Sequence, residues 1–144
     1  MIRPTFAQQL CAVVEAVRWP CDECVAVEAG PYYSQCLFNR DTIYGEVISN
    51  MFLDGAERLS PAQERRLLDL GWLPPDAPCH PMCAKPHPNF HRLWPQDATT
   101  DRVVHDLLVG LTVAAAALGE GGPAFALIRV PRVSPVSAVP PPHH

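Results

Sequence analysis

The sequence predicts an α+β domain, and three stretches carry the prediction. Residues 58–75, Arg-Leu-Ser-Pro-Ala-Gln-Glu-Arg-Arg-Leu-Leu-Asp-Leu-Gly-Trp-Leu-Pro-Pro, mark both ends of a short helix. Ser60 can accept a bond from the Gln63 backbone N–H while Gln63 reaches back, Pro61 takes the first helical position, and Gly71 supplies the stop. Residues 24–29 and 32–39 are β-type runs on either side of Gly30-Pro31, the pattern of a hairpin. A third stretch, opening near Thr100, presents Val104, Leu107, Leu108, Leu111 and Leu118 at helical spacing before Gly119 stops it.

A chain of 144 residues is long enough for one hydrophobic core and too short for two, so a single domain over residues 1–130 is expected. From Pro131 onward the mix of Pro, Ser, Val and Ala has little capacity to bury itself, which predicts a disordered tail over 131–144. Net charge is −4 and Lys and Arg never gather into a basic run, so no nucleic-acid partner is expected. The opening residues, Met1-Ile-Arg-Pro-Thr-Phe-Ala-Gln-Gln, lack the apolar centre and small-residue cleavage site of a signal peptide. The longest apolar run, 107–118, is broken by Gly110 and Thr112 and falls short of the ~20 residues a bilayer span requires. A cytoplasmic protein with no membrane partner is the expectation.

Taken in order, Thr5-Phe-Ala-Gln8 is a second capping-box pattern, after which Phe6, Leu10, Val13, Val14 and Val17 share one helical face until Pro20. Alternation in the hairpin sets Tyr33, Gln35 and Leu37 on one face and Tyr32, Ser34, Cys36 and Phe38 on the other, without deciding which is core. Asp41 is placed to cap a helix carrying Ile43, Tyr44, Val47, Ile48, Met51 and Phe52 as far as Gly55. The prolines of 74–88 forbid regular structure and predict a surface loop, followed by a short strand over 90–94. Residues 123–130 read as a closing strand or an extended arm. Trp72 and Trp94 flank element ends, where a large aromatic closes a core.

Six cysteines in a chain expected in the cytoplasm read as thiols or metal ligands before disulfides. Cys21-Asp-Glu-Cys24 and Cys79-His-Pro-Met-Cys83 together can supply four thiolates to a tetrahedral zinc. Against zinc stand the three-residue spacer of the second pair, the long separation of the pairs and the lack of a glycine-rich turn; apart from that metal no cofactor is expected. A redox role for Cys21 and Cys24 lacks a helix N-terminus to activate the thiolate, and Asp22 and Glu23 oppose it. Cys11 and Cys36 read as small buried hydrophobes. His80, His87 and His91 gather around the proline-rich loop, as a substitute ligand or as loop solvation. There is no G-x-S-x-G elbow, H-E-x-x-H pair, P-loop or dinucleotide fingerprint, so an enzyme is not expected.

Between about Tyr32 and Leu118 an ordered set of positions stands out: Val47-Ile-Ser-Asn-Met-Phe-Leu53, Leu59-Ser-Pro-Ala-Gln63, Leu70-Gly-Trp72, Asn89-Phe90, Trp94, and the long helix after Thr99-Thr100. The set resembles the small bacterial proteins related to type III secretion chaperones and YbjN, whose actinobacterial members are described as peptide-binding chaperones. That resemblance implies helices packed on one side of a small antiparallel sheet, and a non-catalytic surface that holds an extended segment of a partner protein. The stretch 78–88 departs from the pattern, which keeps a zinc-stabilised interaction module on Cys21, Cys24, Cys79 and Cys83 as the alternative. Within the chaperone reading, Tyr32, Tyr33 and Phe38 are the candidates for the peptide surface, on a hairpin whose edge is open to strand addition unless the strand near Phe90 covers it. Secretion-chaperone relatives pair through sheets or helices, and this chain carries apolar stripes on three helices, so a homodimer is expected.

Overall fold

A computed structural model of the chain describes residues 4–19, 23–78, 87–118 and 125–131. The tail beyond Pro131 and the centre of the proline-rich loop, 79–86, lie outside the described residues. The first helix, α1 (Phe6–Arg18), opens with the expected box: Thr5 accepts from the Gln8 N–H, and the Thr5 N–H donates to Gln8 Oε1 at 2.8 Å. The hairpin is β1 (Glu23–Ala29) and β2 (Tyr32–Phe38), antiparallel with Ala29 opposite Tyr32, and Gly30 turns it at φ 60°. Helix α2 (Pro61–Asp69) carries the second box and ends as its sequence dictates. Gly71 adopts φ 100°, which lets its N–H reach Leu68 O at 3.0 Å and the Trp72 N–H reach Leu67 O at 3.1 Å. Strand β4 (Phe90–Pro95), helix α3 (Thr100–Ala114) with a 3-10 extension at Ala115–Leu118, and strand β5 (Ala126–Pro131) complete the elements.

The helix expected from Asp41 is not formed. In its place stands β3 (Thr42–Val47), followed by 3-10 turns at Asn50–Phe52 and Gly55–Glu57. Ile43 and Val47 lie four residues apart, a spacing that fits a helical stripe and one face of a strand equally well. Pairing resolves the ambiguity. β3 bonds to β2 on one side and β4 on the other, and Gly45 lies beneath the Trp94 ring, where an added Cβ would fall 2.4 Å from the ring carbons.

All pairings are antiparallel and the strand order is β4-β3-β2-β1-β5. The hairpin is therefore interior, with β3 against β2 and β5 against β1, and its expected open edge does not exist. The outer edge of β4 is itself partly occupied, because Leu73 and His91 exchange two backbone bonds at 2.7 and 3.1 Å.

The helices cover one face of this sheet. Ser34 Oγ donates to Leu107 O at 3.0 Å, Trp94 Nε1 donates to Asp106 Oδ2 at 2.8 Å, and a Cβ on Gly110 would come within 2.9 Å of Val47. Arg18, buried, clamps α1 to the start of α3 through Thr100 Oγ1 at 3.0 Å and Gln96 O at 2.8 Å. Helix α2 docks on α3 through Gln63 Nε2, which donates to Val113 O at 2.9 Å. Leu10, Val14 and Val17 of α1 and Val103, Leu107 and Leu111 of α3 close over Val25, Val27, Phe38, Ile43, Val47, Phe90 and Trp94. Trp72 and Trp94 meet edge to face at 6.0 Å inside that core. Among the described residues no helix is long and apolar enough to cross a membrane.

Candidate functional site

Among the described residues the opposite face of the sheet carries no helix, and strand register arranges its side chains in rows. One row runs Cys24, Leu37, Tyr44, Leu93 across β1, β2, β3 and β4; the next runs Ala26, Gln35, Glu46, His91. Glu28 and Tyr33 begin a third. Leu37, Tyr44 and Leu93 are half-buried, which makes the first row apolar and partly accessible.

The second row is a polar floor. Glu46 is only 9% exposed, and its carboxylate accepts from Gln35 Nε2 at 2.6 Å, the Tyr44 hydroxyl at 2.9 Å and Asn89 Nδ2 at 3.5 Å. The Tyr44 hydroxyl has one hydrogen and gives it to Glu46, so at 2.9 Å from His87 Nδ1 it accepts, and His87 donates. Asn89 is buried and joins three pieces: its Oδ1 accepts from the Ser49 N–H at 3.0 Å, and its Nδ2 donates to the Tyr33 hydroxyl at 2.9 Å besides Glu46. Ser49 in turn donates to Pro88 O at 2.7 Å, tying the residues after β3 to the approach to β4. Burial pushes the Tyr33 hydroxyl up to about 12, with the Glu46 charge adding to the rise and the Asn89 bond opposing it. His91 is fully buried, bonds Asn89 O through Nδ1 at 3.0 Å, stacks on His87 with centroids 4.3 Å apart, and leaves Nε2 without a partner among the described residues.

Of the three aromatic residues expected on the peptide surface, only Tyr33 faces this side. Tyr32 and Phe38 are each 2% exposed on the helix-covered face, where the Tyr32 hydroxyl donates to Glu57 O at 2.8 Å and Phe38 lies under the Arg18 guanidinium at 5.8 Å. Alternation had separated these two sets correctly; burial assigns the faces. Cys24 stands on the helix-free face and its thiol reaches Gln35 Oε1 at 3.9 Å. Cys21, Cys79 and Cys83, the other three expected zinc ligands, lie outside the described residues, and among those described no group of three or more His, Cys, Asp or Glu is placed to hold a metal. The sequence does not mark Glu46, Tyr44 or Asn89 as site residues, and His91, weighed there as a substitute metal ligand or as loop solvation, is instead buried in β4. The available signal was alternation in 42–47, which sets Thr42, Tyr44 and Glu46 against Ile43, Gly45 and Val47 once that segment is read as a strand.

A family model described as T3SS (YopN, CesT) and YbjN peptide-binding chaperone 3, TY-Chap3, matches residues 4–117, from the residue before the α1 cap to the last turn after α3. The chain belongs to the TY-Chap3 family. Membership makes it a domain of the peptide-binding chaperone class, and the matched residues span the ordered positions from Val47 to Trp94. In this TY-Chap3 domain β5 lies beyond the matched residues and still closes the sheet against β1. No curated protein and no solved structure matches the chain.

Proposed function

We propose that this TY-Chap3 domain acts without catalysis and holds an extended segment of a partner protein on the helix-free face of its sheet. The observation that carries this reading is the pairing of rows on that face. Leu37, Tyr44 and Leu93 offer half-buried apolar contact, while Gln35, Glu46 and Asn89 beside them are already bonded to one another and hold the floor rigid. A preorganised floor lowers the ordering cost of binding, and alternate side chains of an extended peptide match a surface of alternating rows. Tyr33 stays in the proposal as a contact residue; Tyr32 and Phe38 support the face from beneath.

The test is capture of unfolded reference proteins displayed as overlapping peptides. Leu37→Glu and Leu93→Glu should each lower capture at least about tenfold with little change in melting temperature. Trp19→Glu and Leu68→Glu, at exposed apolar positions at the end of α1 and on α2, should leave it unchanged. Loss in the second pair with retention in the first would move the surface to the helical side. A homodimer is a separate proposal. The helix stripes are covered within the chain, so among the described residues Trp19, Met51, Leu68 and Leu118 are the exposed large apolar residues left for a dimer contact. Light scattering that gives a monomer mass across a wide concentration range would refute it.

A further inference from the structure

We propose that the strip formed by Gln35, Glu46 and His91 is the specificity subsite of this face and takes a basic side chain, arginine or lysine, from the held segment. The inference rests on the reading that the helix-free face binds peptide. Its first support is Glu46. A carboxylate 9% exposed is costly to keep without a cation, yet its partners Gln35, Tyr44 and Asn89 are all neutral donors and it makes no ion pair among the described residues.

His91 supplies an independent support. It stands directly across from Glu46 in the β3–β4 register, on the same face. Asn89 O can only accept, so His91 Nδ1 carries the hydrogen of their 3.0 Å bond, and Nε2 is left as a fully buried lone pair with no donor among the described residues. An orphaned buried acceptor is unfavourable unless a ligand completes it. A carboxylate and an imidazole lone pair side by side call for a cationic donor, which guanidinium and ammonium both are.

Charge on the rest of the face agrees. Among the described side chains of the strands, this face carries the carboxylates Glu28 and Glu46 and no arginine or lysine. Arg92 faces the other way, 5.3 Å from both the Trp72 and Trp94 rings and paired with Asp106 at 3.5 Å. The neighbouring row of Leu37, Tyr44 and Leu93 suits the aliphatic stem of a long basic side chain, and the Tyr44 ring suits its head. His87 covers His91, so a head group that reaches Nε2 turns the His87 ring aside.

The experiment uses fluorescein-labelled synthetic peptides of alternating valine and threonine with arginine, lysine, citrulline or glutamate at the centre, read by anisotropy on the full chain. Citrulline keeps the shape of arginine and loses its charge. The arginine peptide should bind at least about tenfold tighter than the citrulline peptide, and Glu46→Gln should abolish that preference. Equal binding of arginine and citrulline peptides overturns the subsite, and so does a preference that survives in a folded Glu46→Gln protein. The comparison of peptides on the native chain decides the matter even if the variant does not fold. Leu37→Glu separates the two readings: loss of all binding without an arginine preference in the native chain refutes only the subsite, whereas binding unaffected by Leu37→Glu, or no binding of any peptide, refutes the peptide surface as well.

Discussion

Gly45 and Glu46 are neighbours in β3 and live in different environments. Gly45 points toward the helices and is glycine because the Trp94 ring occupies the space a Cβ would need. Glu46 points to the helix-free side and is a buried acid because three neutral donors converge on it. The covered face is apolar and closely packed, so its energetics are those of volume and shape, where one methyl group matters. The other face is a hydrogen-bonded floor with partly exposed apolar residues beside it. There, side-chain changes are expected to alter binding far more than folding. The difference teaches that each face must be probed by a different measurement.

The largest effect belongs to the covered face. Trp94 is 1% exposed, packs on Trp72 and donates to Asp106, so Trp94→Ala should lose about 4 kcal/mol in urea unfolding. A cost below that of an ordinary surface substitution would mean the covered face is not the core. Gly45→Ala comes next at about 2 kcal/mol or more, since its methyl would sit 2.4 Å from Trp94 ring carbons. The same unfolding assay on Leu37→Ala, on the other face, should show under about 1 kcal/mol. If Trp94→Ala and Leu37→Ala cost the same, the contrast between faces fails.

Alkaline titration sharpens the comparison further. Tyr33 ionises at about 12 in the folded chain against an ordinary 10, so the native state holds that proton more tightly than the unfolded one. Its contribution to stability is complete below pH 10 and is lost as pH rises toward about 12. Absorbance at alkaline pH should show a tyrosine titrating late, and Tyr33→Phe should remove that step along with its share of the stability loss. The smallest effect is chemical. Cys36, on the covered face, is 1% exposed, and burial pushes its thiol far above the ordinary range, whereas Cys24 on the helix-free face is half-buried. Alkylation followed by mass mapping should label Cys24 in the native chain and Cys36 only on unfolding.

Much of the backbone was legible in the sequence because its signals are local. Thr5 with Gln8, Ser60 with Gln63, Gly71 and the Gly30-Pro31 turn each act within a few residues, and α1, the hairpin, α2 and α3 follow from them. The family was legible as well, since the set from Val47 to Trp94 that carried the resemblance is ordered along the chain and lies inside the matched residues. The segment after Asp41 was not, because Ile43 and Val47 satisfy two periodicities and only β2 and β4 on either side make it a strand. The candidate site was hidden for the same reason. Gln35, Glu46 and His91 are far apart in the chain, and nothing local to any of them marks the others. Register across β2, β3 and β4 sets them in one row, on the face opposite the one where α1 and α3 pack. Caps and turns act within a few residues and so can be read from sequence, whereas strand neighbours and the choice of buried face depend on which distant segments meet, which only the tertiary structure decided.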